Sequence, residues 1–183
     1  MSQTEEFIQR LQKLKHGELS RLRRLAGQPL DHTLQGFDLF TGLWWPLRKK
    51  SPRTPQREPS WLVTKLYAAF PLQHMRPNGA FLPVLLGSHE PLEEFGRKRF
   101  RRRFNTLLNS PLSGLEPHLR WALSVVADSV APRGTTGLDW VRLLDDLSIW
   151  DRGAEHRCAR DVREIWAEMY VDRCPSKRED SAC

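Results

Sequence analysis

A chain of 183 residues can bury one sizeable core or two smaller ones, so neither a metal nor a disulfide is needed to hold it folded. Hydrophobic residues make up 39% of it, and no apolar run approaches the roughly 20 residues of a membrane helix, which argues against a bilayer-spanning helix. The 29 Lys and Arg against 22 Asp and Glu leave a net charge of +7, and arginine dominates the basic side. Arginine's planar fork fits phosphate oxygens and its weak hydration eases docking, so the excess points to nucleic acid, although a solvated surface without a partner accounts for charge alone equally well. Met1 to Glu6 lacks the basic stretch and apolar segment of a secretory signal, and the expected compartment is the cytoplasm. Cys158, Cys174 and Cys183 are widely spaced, with no Cys-x-x-Cys pair, and are expected to be reduced thiols.

In chain order, Phe7, Leu11 and Leu14 share one helical face, which ends near His16 and Gly17. Leu19, Leu22 and Leu25 continue a second short helix up to Gly27 and Pro29, with Arg21 and Arg24 on its other side. Leu34 to Leu43 forms a third, which Trp44-Trp45-Pro46 should close because the residue before proline resists helical geometry. The stretch RKKSPRTPQREPS, Arg48 to Ser60, reads as an extended, mobile basic loop with prolines at 52, 55 and 59. A helix from Trp61 to Phe70 follows, then a short apolar piece from Phe81 to Leu86.

Beyond Gly87 the composition changes, and a domain boundary is expected between residues 88 and 89. Three further faces follow: Phe100, Phe104, Leu107 and Leu108; Trp140, Leu143, Leu144 and Leu147; Val162, Ile165, Trp166, Met169 and Tyr170. A helix from about Glu116 to Val130 stands between the first two, and residues 174–183 read as a disordered tail. Strand signals are almost absent, so the expectation is an all-α protein of two small packed helical bundles, residues 1–88 and 89–173.

The most unusual feature is the run from Arg97 to Arg103, six positive charges in seven residues interrupted only by Phe100. On a helix whose phenylalanines and leucines face the core, Lys98 and Arg102 point away, flanked by Arg99 and Arg101, and Asn105 and Asn109 extend that side. Such like-charge crowding is unfavourable unless a polyanion relieves it, so the face is expected to bind nucleic-acid backbone. No finger, RNP strand or recognition helix is present to read bases. Nor is there a phosphate-cradling Gly-rich loop, a Gly-x-Ser-x-Gly or a His-Glu-x-x-His, and the six scattered histidines form no i, i+4 pair. Asp145 and Asp146 are adjacent and point about 100° apart on a helix, which suits ion pairs better than a shared metal. No catalysis, cofactor or metal is expected. Of the seven tryptophans, Trp61, Trp140 and Trp166 fall on apolar faces and should be core; Trp121 and Trp150 are open.

HGELSRLRRLAGQP, LVTKLYAAFP, RRRFNTLLNSP, PHLRWAL, LDWVRLLDDLSIWD and RDVREIWAEMY, in that order and spacing, resemble the CasB family, the small helical subunit of the type I-E CRISPR interference complex, Cascade. The resemblance covers most of residues 5–172. It implies a subunit present in two copies, beside other Cascade subunits and CRISPR RNA, touching the guide-bound target DNA and the displaced strand and stabilising the R-loop. It implies too that a separately recruited helicase-nuclease makes the cut. The family's basic contacts fall on Arg23, Arg24, Arg102, Arg103, Arg120, Arg152 and Arg157. Together with Arg21, Lys98, Arg99 and Arg101, these are the expected binding residues. Trp121 departs from the family pattern by standing where a second arginine often follows Arg120. The other readings are a free-standing DNA- or RNA-binding protein and a subunit whose basic surface meets acidic protein.

Overall fold

The structure, a computed structural model, describes residues 2–30, 34–52, 54–75, 80–130, 137–152 and 161–174. Among them it is all-α: α1 Gln3–Gln12, α2 His16–Arg23, α3 Leu34–Lys50, α4 Arg57–Ala69, α5 Leu82–Ser88, α6 Glu94–Asn109, α7 Glu116–Val130, α8 Trp140–Ser148 and α9 Val162–Val171. A 3-10 turn spans Leu112–Gly114, and one isolated parallel bridge joins His74 and Leu138. The helices gather into two compact units, Met1–Leu72 with Trp140–Ser148, and Gln73–Asp139 with Ile149–Cys183. The partition is discontinuous, unlike the single cut at residue 88 read from the sequence: α8 belongs with the first helices, and α5 with the later ones.

In the first unit, α1 starts at a reciprocal cap. The Ser2 hydroxyl accepts from the Glu5 N–H and the Glu5 carboxylate from the Ser2 N–H, so two donors that no helix turn can satisfy find partners. Phe7, Ile8 and Leu11 then point inward. The third helix does not stop at the double tryptophan. It runs to Lys50 with Pro46 inside, because Phe40, Leu43 and Leu47 continue one buried face across the proline, and that packing outweighs the local penalty.

The basic proline-rich segment is likewise more ordered than expected. Residues 48–50 end α3 and 57–60 begin α4, leaving a short connection whose Thr54 and Pro55 are buried. The Trp44 indole N–H donates to the Pro55 carbonyl at 2.9 Å, and Lys50 pairs with Glu6 at 3.1 Å. Pro59 sits in the first turn of α4, where a missing N–H costs nothing.

Helix α4 is the axis of this unit, buried on all sides from Pro59 to Ala68. Its polar groups are satisfied internally: Thr64 donates to the Ser60 carbonyl, and Trp61 Nε1 and Lys65 Nζ both donate to the Gln28 carbonyl, at 3.1 and 3.0 Å. At Gly36 an added Cβ would lie 2.3 Å from Leu25 Cδ1 and 2.7 Å from the Trp61 ring, so α3 approaches closely only because the side chain is absent. From far along the chain, α8 covers α1 and α4; Trp140 stacks edge-on to Tyr67 and donates to the Leu72 carbonyl at 2.9 Å. Asp146 pairs with Arg142 and Asp145 accepts from Thr4, so the adjacent aspartates are structural.

The second unit is built around α9, which packs on α5 and α6, while α7 packs on α5 and α6. Phe104 stacks on Tyr170 with centroids 4.1 Å apart. Trp150, left open by the sequence, is core: it meets Trp166 edge-on and donates to the Ser110 carbonyl at 2.9 Å. Trp61, Trp140 and Trp166 are fully buried as expected. Cys174, assigned to the tail from the sequence, is buried with its thiol donating to the Tyr170 carbonyl; the remaining tail, 175–183, lies outside the described residues.

Helices α5 and α9 meet at Gly87, where an added Cβ would stand 2.4 Å from the Tyr170 carbonyl oxygen, a backbone atom that cannot swing away. Gly87→Ala is therefore expected to destabilise the protein by about 1–3 kcal/mol. Urea denaturation followed by circular dichroism should show a lower midpoint at unchanged slope.

Candidate nucleic-acid interface

Helix α6 begins at Glu93, whose carboxylate caps the Phe95 and Gly96 N–H groups at 2.8 and 2.7 Å. From there the sequence alternates apolar and cationic positions so that Phe100, Phe104 and Leu107 are buried while Lys98, Arg99, Arg101, Arg102 and Arg103 are exposed. The two-faced helix expected from the sequence is present.

These cations are not equivalent. Arg101 is committed to the fold: its Nη2 donates to Glu90 Oε2 at 3.0 Å and its Nε donates to Oε1 of the same carboxylate, whose side chain is only 1% exposed. The Tyr170 hydroxyl adds a third bond to Glu90 at 2.7 Å. Burial alone would push the Glu90 carboxyl up, but the Arg101 guanidinium and the hydrogen bonds from Tyr170 and Cys174 outweigh it and hold it below the ordinary value. The same site raises its neighbours: burial first, then the Glu90 charge, pushes the Tyr170 hydroxyl up and the Cys174 thiol up to about 11. Arg101 thus differs from its expected role, because an arginine holding a buried carboxylate is not available to a phosphate without leaving that charge unpaired.

Lys98 meets Glu94 at 2.6 Å, but this i, i+4 pair is exposed and of the kind worth only about 0.3–0.5 kcal/mol. Arg99, Arg102 and Arg103 meet no carboxylate among the described residues. Arg103 lies 5.7 Å above the Trp121 ring of α7, and Arg120 beside it is half-buried and engaged within the chain. On the first unit, Arg21, Arg23 and Arg24 are exposed along α2. Arg23 Nε donates to the Ala68 carbonyl at 3.0 Å, and Arg21 too has interactions within the chain. The Arg24 side chain makes no such contact among the described residues. Arg152 is exposed after α8, and Arg157 lies outside the described residues.

Two participants were missed from the sequence: Glu90, which lies on the loop before α6 and so outside the helix that carries Arg101, and a groove that Trp121 and His118 line beside Arg103. Pro117, His118 and Trp121 do stand at i, i+1 and i+4, a spacing that places them on one side of a helix and could have signalled the groove. Among the described residues no cluster of His, Cys, Asp or Glu could hold a metal ion, and no helix is long and apolar enough to cross a membrane.

All-helical among the described residues, and carrying a row of arginines on the outer face of α6, the chain falls in a class of small basic helical proteins. The family model for CRISPR-associated protein Cse2 matches residues 18–170, and the chain belongs to the Cse2 family. TTHB189 of Thermus thermophilus, a CRISPR-associated protein of the Cse2 family, is 27% identical, with 94% of this chain and 99% of that one covered at a TM-score of 0.67. CasB from Thermus thermophilus is 26% identical over 94% of this chain and 99% of its own, TM-score 0.68. A chain of a CRISPR RNA-guided surveillance complex shares the fold at 18% identity, covering 98% of this chain and 97% of that one, TM-score 0.69. Among curated protein sequences, none matches. The resemblance to the CasB family read from the sequence is borne out.

Arg101 and Arg102 separate structure from surface. Arg101→Ala should cost about 3 kcal/mol by leaving a buried carboxylate without its cation, whereas Arg102→Ala should stay within about 0.5 kcal/mol. Because the Glu90 carboxyl is held below its ordinary 4.5, its stabilising contribution is complete above that pH and is lost as pH falls through the folded value. The stability gap between wild type and Glu90→Gln, measured by denaturant titration, should therefore shrink on acidification below about pH 4.5 and be flat from about pH 6 to 8. Cys174, with its thiolate disfavoured, should resist Ellman's reagent at about pH 8 until the protein is unfolded.

Proposed function

We propose that this protein is a non-catalytic subunit of the type I-E Cascade surveillance complex, in which its arginine rows hold nucleic-acid backbone and stabilise the R-loop against reannealing. The observation that carries the reading is the exposed row Arg99, Arg102 and Arg103 on α6, without carboxylate partners among the described residues and anchored from behind by Phe100, Phe104 and Leu107. Membership in the Cse2 family and the fold shared with a chain of an RNA-guided surveillance complex support it. Other Cascade subunits, a second copy of the chain, CRISPR RNA, target DNA and the displaced strand are the proposed partners, in the cytoplasm.

The energetics suit weak contacts. Replacing a DNA duplex with an RNA–DNA hybrid is nearly neutral, so a few phosphate contacts on the opened strands shift the balance. Arg24 and Arg152, exposed elsewhere on the surface, are the next candidates for such contacts. Arg21, Arg23 and Arg120 are partly engaged within the chain and rank below them, and Arg157 lies outside the described residues.

Charge reversal at Lys98, Arg102 and Arg103 to Glu is expected to shorten R-loop lifetime in the reconstituted complex at least about tenfold while the circular dichroism spectrum and melting midpoint hold. An unchanged lifetime in a complex that still contains the variant would refute the reading. Binding of the isolated chain to DNA should also weaken steeply with salt, by about 10³-fold or more between 50 and 200 mM if six or more phosphates are neutralised.

A further inference from the structure

We propose that the groove between α6 and α7 seats one unpaired nucleobase of a single strand whose phosphates lie along Arg99 and Arg102, an inference that rests on the backbone-binding reading above. The groove is lined by Arg103, Thr106, Pro117, His118 and Trp121 and encloses about 310 Å³. That volume is at the lower end of the ~300–1,000 Å³ typical of small-molecule sites, which suits a single flat heterocycle.

The lining has the chemistry a base needs. Trp121 is half-buried, and its indole is fixed from the core side by Phe100, which meets it edge-on at 5.1 Å. A ring held in this way can receive a stacked base without losing rotamer freedom on binding. Arg103 stands 5.7 Å from the same ring, too close to admit a base between them as it stands, so its exposed guanidinium shifts outward to sandwich one or swings aside to the adjoining phosphate. His118 supplies ring nitrogens and Thr106 a hydroxyl, which already donates to the Arg102 carbonyl and so offers its lone pairs as acceptors.

No carboxylate lines the groove, and the open side adjoins the exposed row of α6, so an anionic ligand meets no repulsion on entry. Because every base presents a π-face, such a seat tolerates any sequence, in keeping with a protein that follows a guide it does not choose. The seat requires an unpaired base, since a base inside a duplex has both faces covered by its neighbours. The groove would therefore favour the displaced strand over the hybrid.

The experiment compares a labelled oligothymidylate with an abasic deoxyribose-phosphate oligomer of equal length, by fluorescence anisotropy with the full chain at one salt concentration. Wild type should bind the base-bearing strand about 5- to 100-fold more tightly, the range expected for one stacked base. Trp121→Leu, which keeps the apolar contact with Phe100 but removes the extended π-face, should erase that preference and leave abasic binding unchanged. Trp121→Phe should retain most of it.

Equal binding of both oligomers by the wild type would overturn the proposal whether or not any variant folds, and so would a preference that persists in a folded Trp121→Leu protein. The double variant Arg99→Glu/Arg102→Glu should weaken both oligomers alike. If wild type binds neither, the backbone reading itself fails; if it binds both alike and the double variant binds neither, only the base seat is lost.

Discussion

A helix with six positive charges in seven residues survives because its opposite face is clamped. Along α6, three i, i+4 and two i, i+3 like-charge pairs oppose helix formation. At a few tenths of a kcal/mol each, together they cost about 1–2.5 kcal/mol. Burying Phe100, Phe104 and Leu107 is worth about 1.5–3 kcal/mol per side chain, several times more. Stacking of Phe104 and Phe100 on Tyr170 sets the rotation of the helix, and that rotation decides which guanidinium groups face solvent. The charge pattern is thus displayed by the core beneath it. Glu90 completes the clamp by drawing Arg101 toward Tyr170 and out of the row.

The division of labour between Arg101 and its neighbours shows how position in three dimensions overrides composition. The cations from 97 to 103 look alike in sequence. Yet one is a structural ligand to a buried carboxylate, one shares an exposed pair, and three exposed arginines stand with no acidic partner among the described residues. A binding surface built on such a helix needs only those that remain. The commitment of Arg101 also fixes the start of α6 relative to the loop after α5, because Glu90 lies on that loop.

Much of the fold could be read from periodicity. The apolar faces of α1, α6, α8 and α9 recur at helical spacing and are the faces the structure buries, and Trp61, Trp140 and Trp166 are core for the same reason. What could not be read has identifiable causes. The extension of α3 through Pro46 depends on Leu47 finding a fully enclosed site, a tertiary gain invisible to a rule about pre-proline geometry. The basic segment after it is anchored by contacts distant from any local pattern, the Trp44 indole donating to the Pro55 carbonyl and Lys50 pairing with Glu6. The grouping of α8 with α1 and α4 is a long-range pairing that no local pattern encodes. For the site, the two-faced helix was legible, but the selection among its cations was not, since the partner that removes Arg101 lies on the loop before the helix and not on the helix itself.

The placement of α8 has a temporal side. On the ribosome the segment up to Leu72 emerges early, yet the cover that seals α1 and α4, with Trp140 against Tyr67, is encoded some seventy residues later. At synthesis rates of about 5–20 residues per second, the apolar surface of the first unit stays open for about 4–14 s before its last helix arrives. During that interval the nascent chain exposes the apolar faces that α8 later covers, the kind of surface that makes a partly folded chain prone to association until its last helix arrives.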